Sequence, residues 1–266
     1  METKLVLLLT TYNWPEALEL VLMSIKNQTV LPYQVIVADD GSTEETRRLI
    51  QTYQENFPVP LIHIWHEDKG FRRSAILNLA ISKTTADYIV QIDGDCIIDK
   101  NFIKNHKNSL EKKTYLFGSR VSIKADFLSE LFNKKIVSFS YFSKGIKKRN
   151  RTIYMPFLGS ILYRKNNELS KKLRGCNLSY WRSDFIEING YNEDMTGWGR
   201  EDSELITRMM NKGVQGKRLK FQAILYHIWH KESSKSNLNI NHEIQEKAKK
   251  ENLISCKNGI NKYLND

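Results

Sequence analysis

Asp93 and Asp95 stand one glycine apart, directly after an apolar run (residues 88–92) that is rich in β-branched side chains. The run has the length and composition of a buried strand, so both carboxylates would lie at its carboxyl end, where open α/β sheets bind ligands. Neighbouring carboxylates repel each other unless a cation lies near them, and Mg²⁺ or Mn²⁺ bridging substrate phosphates is the usual partner. The alternative is an ordinary turn at Gly94, and the short motif alone does not decide between the two.

Two other polar clusters lie beside predicted strands and helices of the first hundred residues. Asp39 and Asp40 follow a predicted strand (34–38), and they either form the turn into the next helix or face a ligand. Arg72 and Arg73 lie at a loop-to-helix junction, where a helix N-terminus favours anions. One of these arginines would contact a phosphate, and a surface salt bridge is the alternative.

The C-terminal half carries a pair of histidines and a pair of acids. His227 and His230 follow a strand-like run (221–226) with a spacing that would place both imidazoles near one point. Imidazole suits Mn²⁺ better than Mg²⁺, although two core or surface histidines are the alternative. Glu201 and Asp202 begin a predicted helix, where acidic residues are also ordinary partners of the helix dipole.

Strands and helices alternate in the part of the chain that must position these residues. The pattern predicts strands over 4–10, 34–38 and 61–65, and helices over 16–27, from 43 onward and over 74–82. The strand that ends at Asp93 follows, so the fold class is α/β, with a parallel sheet and helices on both faces. Neither a glycine-rich dinucleotide fingerprint nor a phosphate-binding P-loop follows the first strand.

Composition places the chain among ordinary folded proteins. It has 266 residues, of which 41% are hydrophobic, enough for one large core or two small ones. Three widely spaced cysteines favour neither a disulfide framework nor a zinc site. The first residues lack the pattern of a signal peptide, and no apolar run reaches membrane-spanning length. We therefore expect a cytoplasmic protein.

The formal net charge of +11 is concentrated in one segment. Residues 132–174 contain twelve Lys and Arg against one acid, Glu168, and the rest of the chain balances 29 basic with 29 acidic residues. Such a segment favours an anionic partner, which could be nucleic acid, a membrane surface or a phosphorylated substrate. No recognised nucleic-acid-binding module accompanies it, so nucleic acid is not expected.

Seven ordered motifs between residues 4 and 235 resemble the family 2 glycosyltransferases of the GT-A fold. The likeness is strongest to the branch of the bacterial chondroitin polymerase and β-1,4-galactosyltransferase domains. The motifs are TTYN (10–13), VADDGS (37–42), DGD (93–95), RGCNLS (174–179), NGYNED (189–194), GWGRED (197–202) and YHIWHK (226–231).

The resemblance implies an enzyme that transfers a hexose from a UDP-sugar to a sugar hydroxyl of a bacterial surface glycan, such as capsule or lipopolysaccharide. The hexose would be galactose, GalNAc or a similar sugar, and the cofactor would be Mn²⁺ or Mg²⁺. The residues implied for nucleotide binding are Thr10, Tyr12, Asp40, Arg72 and Asp93. The residues implied for the metal are Asp95, His227 and His230, with His230 left between a metal and a phosphate contact.

The resemblance also assigns the catalytic and sugar-binding groups. Asp202 would be the general base toward the acceptor hydroxyl, with Glu201 as a hydrogen-bond partner of donor or acceptor. One base opposite the leaving group implies inversion at the sugar, and a retaining enzyme or a non-catalytic binding module are the alternatives. Trp198, Gly199 and Asn177 would contact acceptor or sugar. Arg200 departs from the family pattern, which has glycine there, and bears on acceptor choice.

The expected organisation is one GT-A domain (1–236) followed by a helical tail (237–266). The domain would divide into a nucleotide-binding half (1–100), a variable basic segment (101–174) and an acceptor and metal half (175–236). Within the basic segment, residues 124–174 interleave aromatic with basic residues, which is typical of a surface that rests on an anionic membrane, or alternatively of a solvated loop region. The aromatic residues are Phe132, Phe139, Tyr141, Phe142, Tyr154, Phe157 and Tyr163.

Overall fold

The computed structural model describes residues 2–162, 165–231 and 234–264. Tyr163 of the predicted membrane-facing aromatics and the last two residues of the tail lie outside this part of the chain. The strands are β1 Leu5–Thr11, β2 Gln34–Asp39, β3 Leu61–Trp65, β4 Tyr88–Asp93, β5 Cys96–Ile98, β6 Thr114–Gly118, β7 Arg120–Ile123, β8 Ile146–Lys147, β9 Leu178–Trp181, β10 Gln215–Leu219 and β11 Leu225–His227.

The helices follow the predicted alternation closely in the first half of the chain. They are α1 Pro15–Lys26, α2 Glu44–Gln54, α3 Arg73–Ser82, α4 Phe102–Asn108, α5 Leu128–Asn133, α6 Pro156–Leu162, α7 Arg182–Glu187, α8 Glu201–Asn211 and α9 Leu238–Lys250. Short 3-10 turns occur at Ala125–Phe127, Arg149–Thr152, Gly175–Asn177 and Ile260–Tyr263. Among the helices described, none is long and apolar enough to cross a bilayer.

A seven-stranded sheet in the order β10-β6-β9-β4-β1-β2-β3 forms the centre of the molecule. All its pairings are parallel except those of β9, which runs antiparallel to β4 and to β6. The predicted α/β class with a mostly parallel sheet is therefore confirmed. A second sheet has the order β5-β11-β7-β8, and its strands β7 and β8 belong to the basic segment.

Both faces of the central sheet are buried, which explains why its strands are almost continuously apolar. In β1, Leu5, Leu7 and Leu9 face the core formed with α1 and α2. Val6 and Leu8 face the opposite core, formed with α3 and α8. Polar residues therefore collect where the strands end.

The pairing register brings the candidate residues to one edge. Thr10 is paired with Asp93 on one side and with Ala38 on the other, so β1, β2 and β4 end side by side. The antiparallel pairing of β11 with β5 sets His227 opposite Cys96, next to Asp95. The fold thus gathers side chains from both halves of the chain at the carboxyl edge of the parallel strands.

Candidate active site

Asp95, His227 and His230 form a group whose candidate ligand atoms all lie within 4.8 Å of one another. The Nε2 atoms of His227 and His230 are 3.4 and 3.2 Å from Asp95 Oδ2. The backbone N–H of Ile228 donates to the Asp95 carbonyl at 2.9 Å and ties the histidine segment to the strand. One carboxylate and two imidazoles make a donor set that fits a Mn²⁺-like ion, and their role as metal ligands stays a prediction.

The protonation of this triad is consistent with a place for a cation. Its hydrogen bond to Asp95 raises the pKa of His230 to about 9, whereas burial lowers the pKa of His227. Burial opposes ionisation of Asp95, but the two histidines outweigh it and lower the pKa of that carboxyl. A cation bound by these three residues would compete with protons for them, since metal ligands must be deprotonated.

Cys96 lies beside the triad, and its thiol donates to Asp95 Oδ1 at 3.3 Å. The sulfur atoms of Cys96 and Cys176 and a carboxylate oxygen of Asp93 also lie within 4.8 Å of one another, close enough to bind one metal ion. Complete burial raises the pKa of the Cys96 thiol well above its usual value. The thiol therefore stays neutral and packs in the core.

Arg73, the first residue of α3, joins three carboxylates from two other elements. Its Nη2 lies 2.8 Å from Asp93 Oδ1, and its Nη1 lies 3.0 Å from Asp202 Oδ1 and 3.3 Å from Glu201 Oε1. Only 10% of the Arg73 side chain is exposed, and the three acids raise its pKa well above the usual value against the effect of burial. This buried cation offsets part of the repulsion among the three acids that share the site.

Asp202 is held in one orientation by three donors that all reach its Oδ1. They are Arg73, the Tyr191 hydroxyl at 2.9 Å and the Gln91 amide at 3.4 Å. The other oxygen, Oδ2, packs against Gly175 so closely that a Cβ there would lie 1.8 Å from it. The carboxylate is therefore fixed through Oδ1, and Oδ2 is the oxygen left for chemistry.

Tyr191, Gln91 and Gly175 contact the candidate base Asp202, and they were not singled out from the sequence. Two of them were visible, since Tyr191 and Gly175 belong to motifs that carried the resemblance. Gln91 was the one polar residue in an apolar strand, and its Oε1 accepts a hydrogen bond from the Tyr180 hydroxyl. All three act on Asp202 through hydrogen bonds or close packing.

Glu201 differs from Asp202 in its environment. Burial, and secondly the charge of Asp202, raise the pKa of Glu201 to about 7, although Arg73 opposes the shift. Its Oε2 is buried with no hydrogen-bond partner among the described residues. An unpaired buried oxygen beside the candidate base suits the predicted hydrogen bond to a sugar hydroxyl.

The predicted nucleoside end lies around the ends of β1 and β2. Asp40 accepts the Arg72 backbone N–H at 2.9 Å and lies 2.6 Å from His66 Nε2. The half-exposed Tyr12 donates its hydroxyl to Asp68 at 2.9 Å. Asp39 accepts the Ser42 N–H at 2.8 Å, which is a contact of the turn alternative, and the ligand role of Asp40 stays a prediction.

Two other predicted nucleotide residues have partners within the protein. Thr10 donates its hydroxyl to Asp93 Oδ1 at 3.2 Å, and the same oxygen accepts a hydrogen bond from Arg73. The Arg72 guanidinium donates to the Glu67 carbonyl, and its buried Nε has no partner among the described residues. A phosphate contact by Arg72 stays a prediction. The Arg73 guanidinium, in contrast, forms ion pairs with the three carboxylates described above.

The Gly197-Trp198-Gly199 loop presents its indole at the surface, with 41% of Trp198 exposed. Both glycines have positive φ, and helix α9 holds the loop, because Asn241 donates to the Gly199 carbonyl at 2.9 Å. Arg200 also has a positive φ of 77°, a conformation that costs a side-chain-bearing residue about 1 kcal/mol and that the family's glycine would adopt freely.

Asn177 lies away from the surface of the site. It is fully buried, and its amide donates to the carbonyls of Ser119 and Ala223. Gly118 permits this packing, since a Cβ there would overlap the Asn177 amide. Its predicted sugar contact stays a prediction that this burial does not favour, and in this structure Asn177 joins Ser119, between β6 and β7, to Ala223, just before β11.

Two family models match adjoining parts of the chain. The model described as Glycosyl transferase family 2 matches residues 7–168, and the N-terminal domain of galactosyltransferase matches residues 162–231. The chondroitin synthase of Escherichia coli is 24% identical over 83% of this chain and 34% of its own length. The validoxylamine A glucosyltransferase of Streptomyces hygroscopicus subsp. limoneus is 23% identical over 77% of this chain and 47% of its own.

Solved structures show the same fold at low sequence identity. Staphylococcus aureus TarS 1–349 in complex with UDP has a TM-score of 0.60 at 15% identity, over 91% of this chain and 64% of that one. A Pyrobaculum calidifontis mannosyltransferase with GDP-Man and Mn²⁺ has a TM-score of 0.58 at 17% identity, over 85% and 57%. These likenesses confirm the predicted GT-A fold. The chain spans between a third and a half of the length of the two curated relatives.

Proposed function

The chain belongs to glycosyltransferase family 2, in the branch that resembles chondroitin synthases, and from this premise we propose that it is a metal-dependent, inverting hexosyltransferase. The donor would be a UDP-sugar, with galactose, GalNAc or a similar hexose, and the acceptor a sugar hydroxyl of a bacterial surface glycan. The proposal rests above all on one observation. Arg73 joins Asp202 to Asp93, and Asp95 of the Asp95–His227–His230 triad follows Asp93 by only two residues.

The residues divide the reaction between them. Asp202 Oδ2 would accept the proton of the acceptor hydroxyl, while Tyr191 and Arg73 keep the carboxylate oriented through Oδ1. Glu201 Oε2 would bond a sugar hydroxyl, and Trp198 would stack on a sugar ring. A divalent cation held by Asp95, His227 and His230 would offset the charge of the leaving diphosphate.

Inversion follows from having one base on the acceptor side. A single carboxylate that deprotonates the attacking hydroxyl opposite the leaving group gives a β-linkage from an α-linked donor. The retaining alternative requires the product to keep the donor's configuration. The anomeric proton coupling of the product, measured by NMR, separates the two.

We predict that UDP release from one UDP-sugar requires Mn²⁺ and falls about a hundredfold or more in Asp95→Ala, because the triad loses its only carboxylate. The assay measures UDP with a panel of UDP-sugars, with and without Mn²⁺. Asp126→Ala, at an exposed acid in a 3-10 turn, is the matched control and should behave as wild type. UDP release that is indifferent to chelation and to Asp95→Ala would contradict metal dependence, and absence of UDP binding would overturn the donor class.

We also propose that helix α6 rests on the anionic inner face of the cell membrane, which would make the protein peripheral on the cytoplasmic side. Its buried residue, Gly159, packs so closely that a Cβ would lie 2.2 Å from the Lys220 carbonyl. That contact turns four apolar side chains of the helix outward, with 79% of Phe157 and 55% of Ile161 exposed; the others are Leu158 and Leu162. The surrounding segment is strongly basic, which complements anionic lipid.

Sedimentation with vesicles tests this contact. We expect binding to phosphatidylglycerol vesicles but not to phosphatidylcholine vesicles, and a loss of about threefold or more in Ile161→Ser because apolar burial and charge act together. Ile254→Ser removes an isoleucine of similar exposure, 48%, elsewhere on the surface and should leave binding unchanged. Equal binding to both vesicle types, or equal effects of the two variants, would contradict the proposal.

A further inference from the structure

Four basic residues of the second sheet and its neighbouring loops form a group that we call the cationic cluster: Arg120, Lys148, Arg151 and Arg174. The Arg151 guanidinium donates to the Arg120 carbonyl at 2.9 Å, and the Arg151 N–H donates to the Lys148 carbonyl at 2.9 Å. Lys148 follows β8, whose residue Lys147 is paired with Ser122 of β7, and Arg120 is the first residue of β7. These contacts hold Arg120, Lys148 and Arg151 beside one another, and the Arg174 guanidinium donates to the backbone carbonyls of Lys171 and Leu173.

The positive charges of the cluster lie close enough to disfavour one another. Burial, followed by Arg151, Arg120 and Arg174, lowers the pKa of Lys148. Burial and the charges of Arg120 and Arg151 likewise lower the pKa of Arg174. Within the described part of the chain, none of the four forms a salt bridge with a carboxylate. A group of like charges without a counter-charge is stabilised by binding an anion.

The cluster borders the proposed acceptor side of the active site. Arg174 directly precedes Gly175, whose Cα faces Asp202 Oδ2. Arg120 lies on β7, which pairs with β11 so that Leu225 is opposite Arg120 and His227 is opposite Ser122. Arg120 thus lies on the strand beside the one that carries His227, and Arg174 directly precedes the glycine that packs against the candidate base.

The donor does not account for this much positive charge. In the proposed function, the divalent cation on the Asp95 triad offsets the diphosphate, and Arg72 is predicted at the nucleoside end. The UDP-sugar therefore has no further negative charge for additional cations beside the base to neutralise. On the basis of that function, we propose that the acceptor is anionic, and that the cationic cluster binds a carboxylate or phosphate group near the hydroxyl that receives the sugar.

Ligand titrations followed by NMR test this with protein already saturated with UDP and Mn²⁺. The probes are methyl β-glucuronide for a carboxylate, glucose 6-phosphate for a phosphate, and methyl β-glucoside as the neutral counterpart. We expect at least one charged probe to bind about tenfold more tightly than the neutral one, as charge-assisted hydrogen bonds allow. Arg151→Gln should abolish that preference, and Arg48→Gln, at a side chain that is 77% exposed on α2, should not.

The outcomes separate this inference from the function on which it rests. Preference for the glucuronide identifies a carboxylate acceptor, preference for the phosphate identifies a phosphorylated one, and either supports the inference. Equal binding of all three probes overturns it, as does a preference that survives Arg151→Gln. If the charged probes compete with UDP, or if Arg151→Gln weakens UDP binding about tenfold, the cluster is a donor subsite and the inference fails while the glycosyltransferase proposal stands. Failure of UDP itself to bind would overturn the proposed function.

Discussion

Replacing Asp202 by asparagine is expected to lower turnover about a thousandfold while UDP binding stays within about twofold of wild type, because the change removes a proton acceptor and keeps its shape. The asparagine oxygen can still accept the hydrogen bonds of Arg73 and Tyr191 that Asp202 Oδ1 receives. The amide cannot take a proton from the acceptor hydroxyl. Steady-state turnover and UDP titration calorimetry on the same preparations measure the two quantities.

Two further variants make this result specific. Tyr191→Phe keeps the carboxylate but removes one of the donors that orient it, so we expect a smaller loss of about tenfold. Asp126→Asn changes an exposed acid away from the site and should have no effect. Near-normal turnover in Asp202→Asn would exclude Asp202 as the base, and would favour either Glu201 in that role or a module that binds without catalysis.

Local sequence patterns predicted the elements of the first hundred residues well. The predicted strand 61–65 coincides with β3, and the other early elements are displaced by only a residue or two at their ends. The strand-like run predicted over 221–226 is shifted, because β11 spans Leu225–His227, but both imidazoles do lie near one point, within 3.4 Å of Asp95 Oδ2. Such patterns reflect interactions between residues that are close in sequence, and these interactions are present in the folded protein as well.

The role of Arg73 could not be predicted in the same way. At the sequence level Arg72 and Arg73 are equivalent candidates for a phosphate contact at a helix N-terminus. The three carboxylates that hold Arg73 come from β4 and α8, so only the packing of α3 against both elements distinguishes the two arginines. Asn177 illustrates the same limit, because its burial depends on Gly118 of another strand.

The direction of β9 was also beyond the sequence pattern. A run of alternating or continuous apolar residues predicts a strand, but it is the same whether the strand runs parallel or antiparallel. In the structure β9 enters the sheet antiparallel between β4 and β6. That reversal places Gly175, just before the strand, at the carboxyl edge beside Asp202. If β9 ran parallel to its neighbours, it would end at this edge, and Gly175, which precedes β9, would lie at the opposite edge.

Arg73→Met is expected to lower the free energy of unfolding by about 3–5 kcal/mol at pH 8, because it leaves buried carboxylates without their counter-charge. The carboxylates are Asp93, Glu201 and Asp202. Arg47→Met is the matched control, since Arg47 is 62% exposed and its ion pair with Glu44 spans 3.9 Å, so its loss should stay below about 1 kcal/mol. Urea unfolding followed by tryptophan fluorescence measures both.

The pH dependence of that loss identifies Glu201 as a main contributor. Its pKa is about 7 in the folded protein, above the ordinary 4.5, so folding favours its protonated form, and this stabilisation is lost as pH rises through 7. Removing Arg73 raises that pKa further, so the penalty for ionising Glu201 grows at pH 8 and is smaller at pH 6. The difference between wild type and Arg73→Met should therefore be larger at pH 8.

A double variant tests whether the carboxylates are the cause. Glu201→Gln removes one of the buried charges, so Arg73→Met combined with Glu201→Gln should recover part of the stability lost at pH 8 and little at pH 6. If Arg73 stabilised the fold only by packing its side chain, the loss would be the same at both pH values and Glu201→Gln would not relieve it. A pH-dependent loss that Glu201→Gln relieves shows that a buried cation allows three acids to share the edge of the sheet where the base must stand.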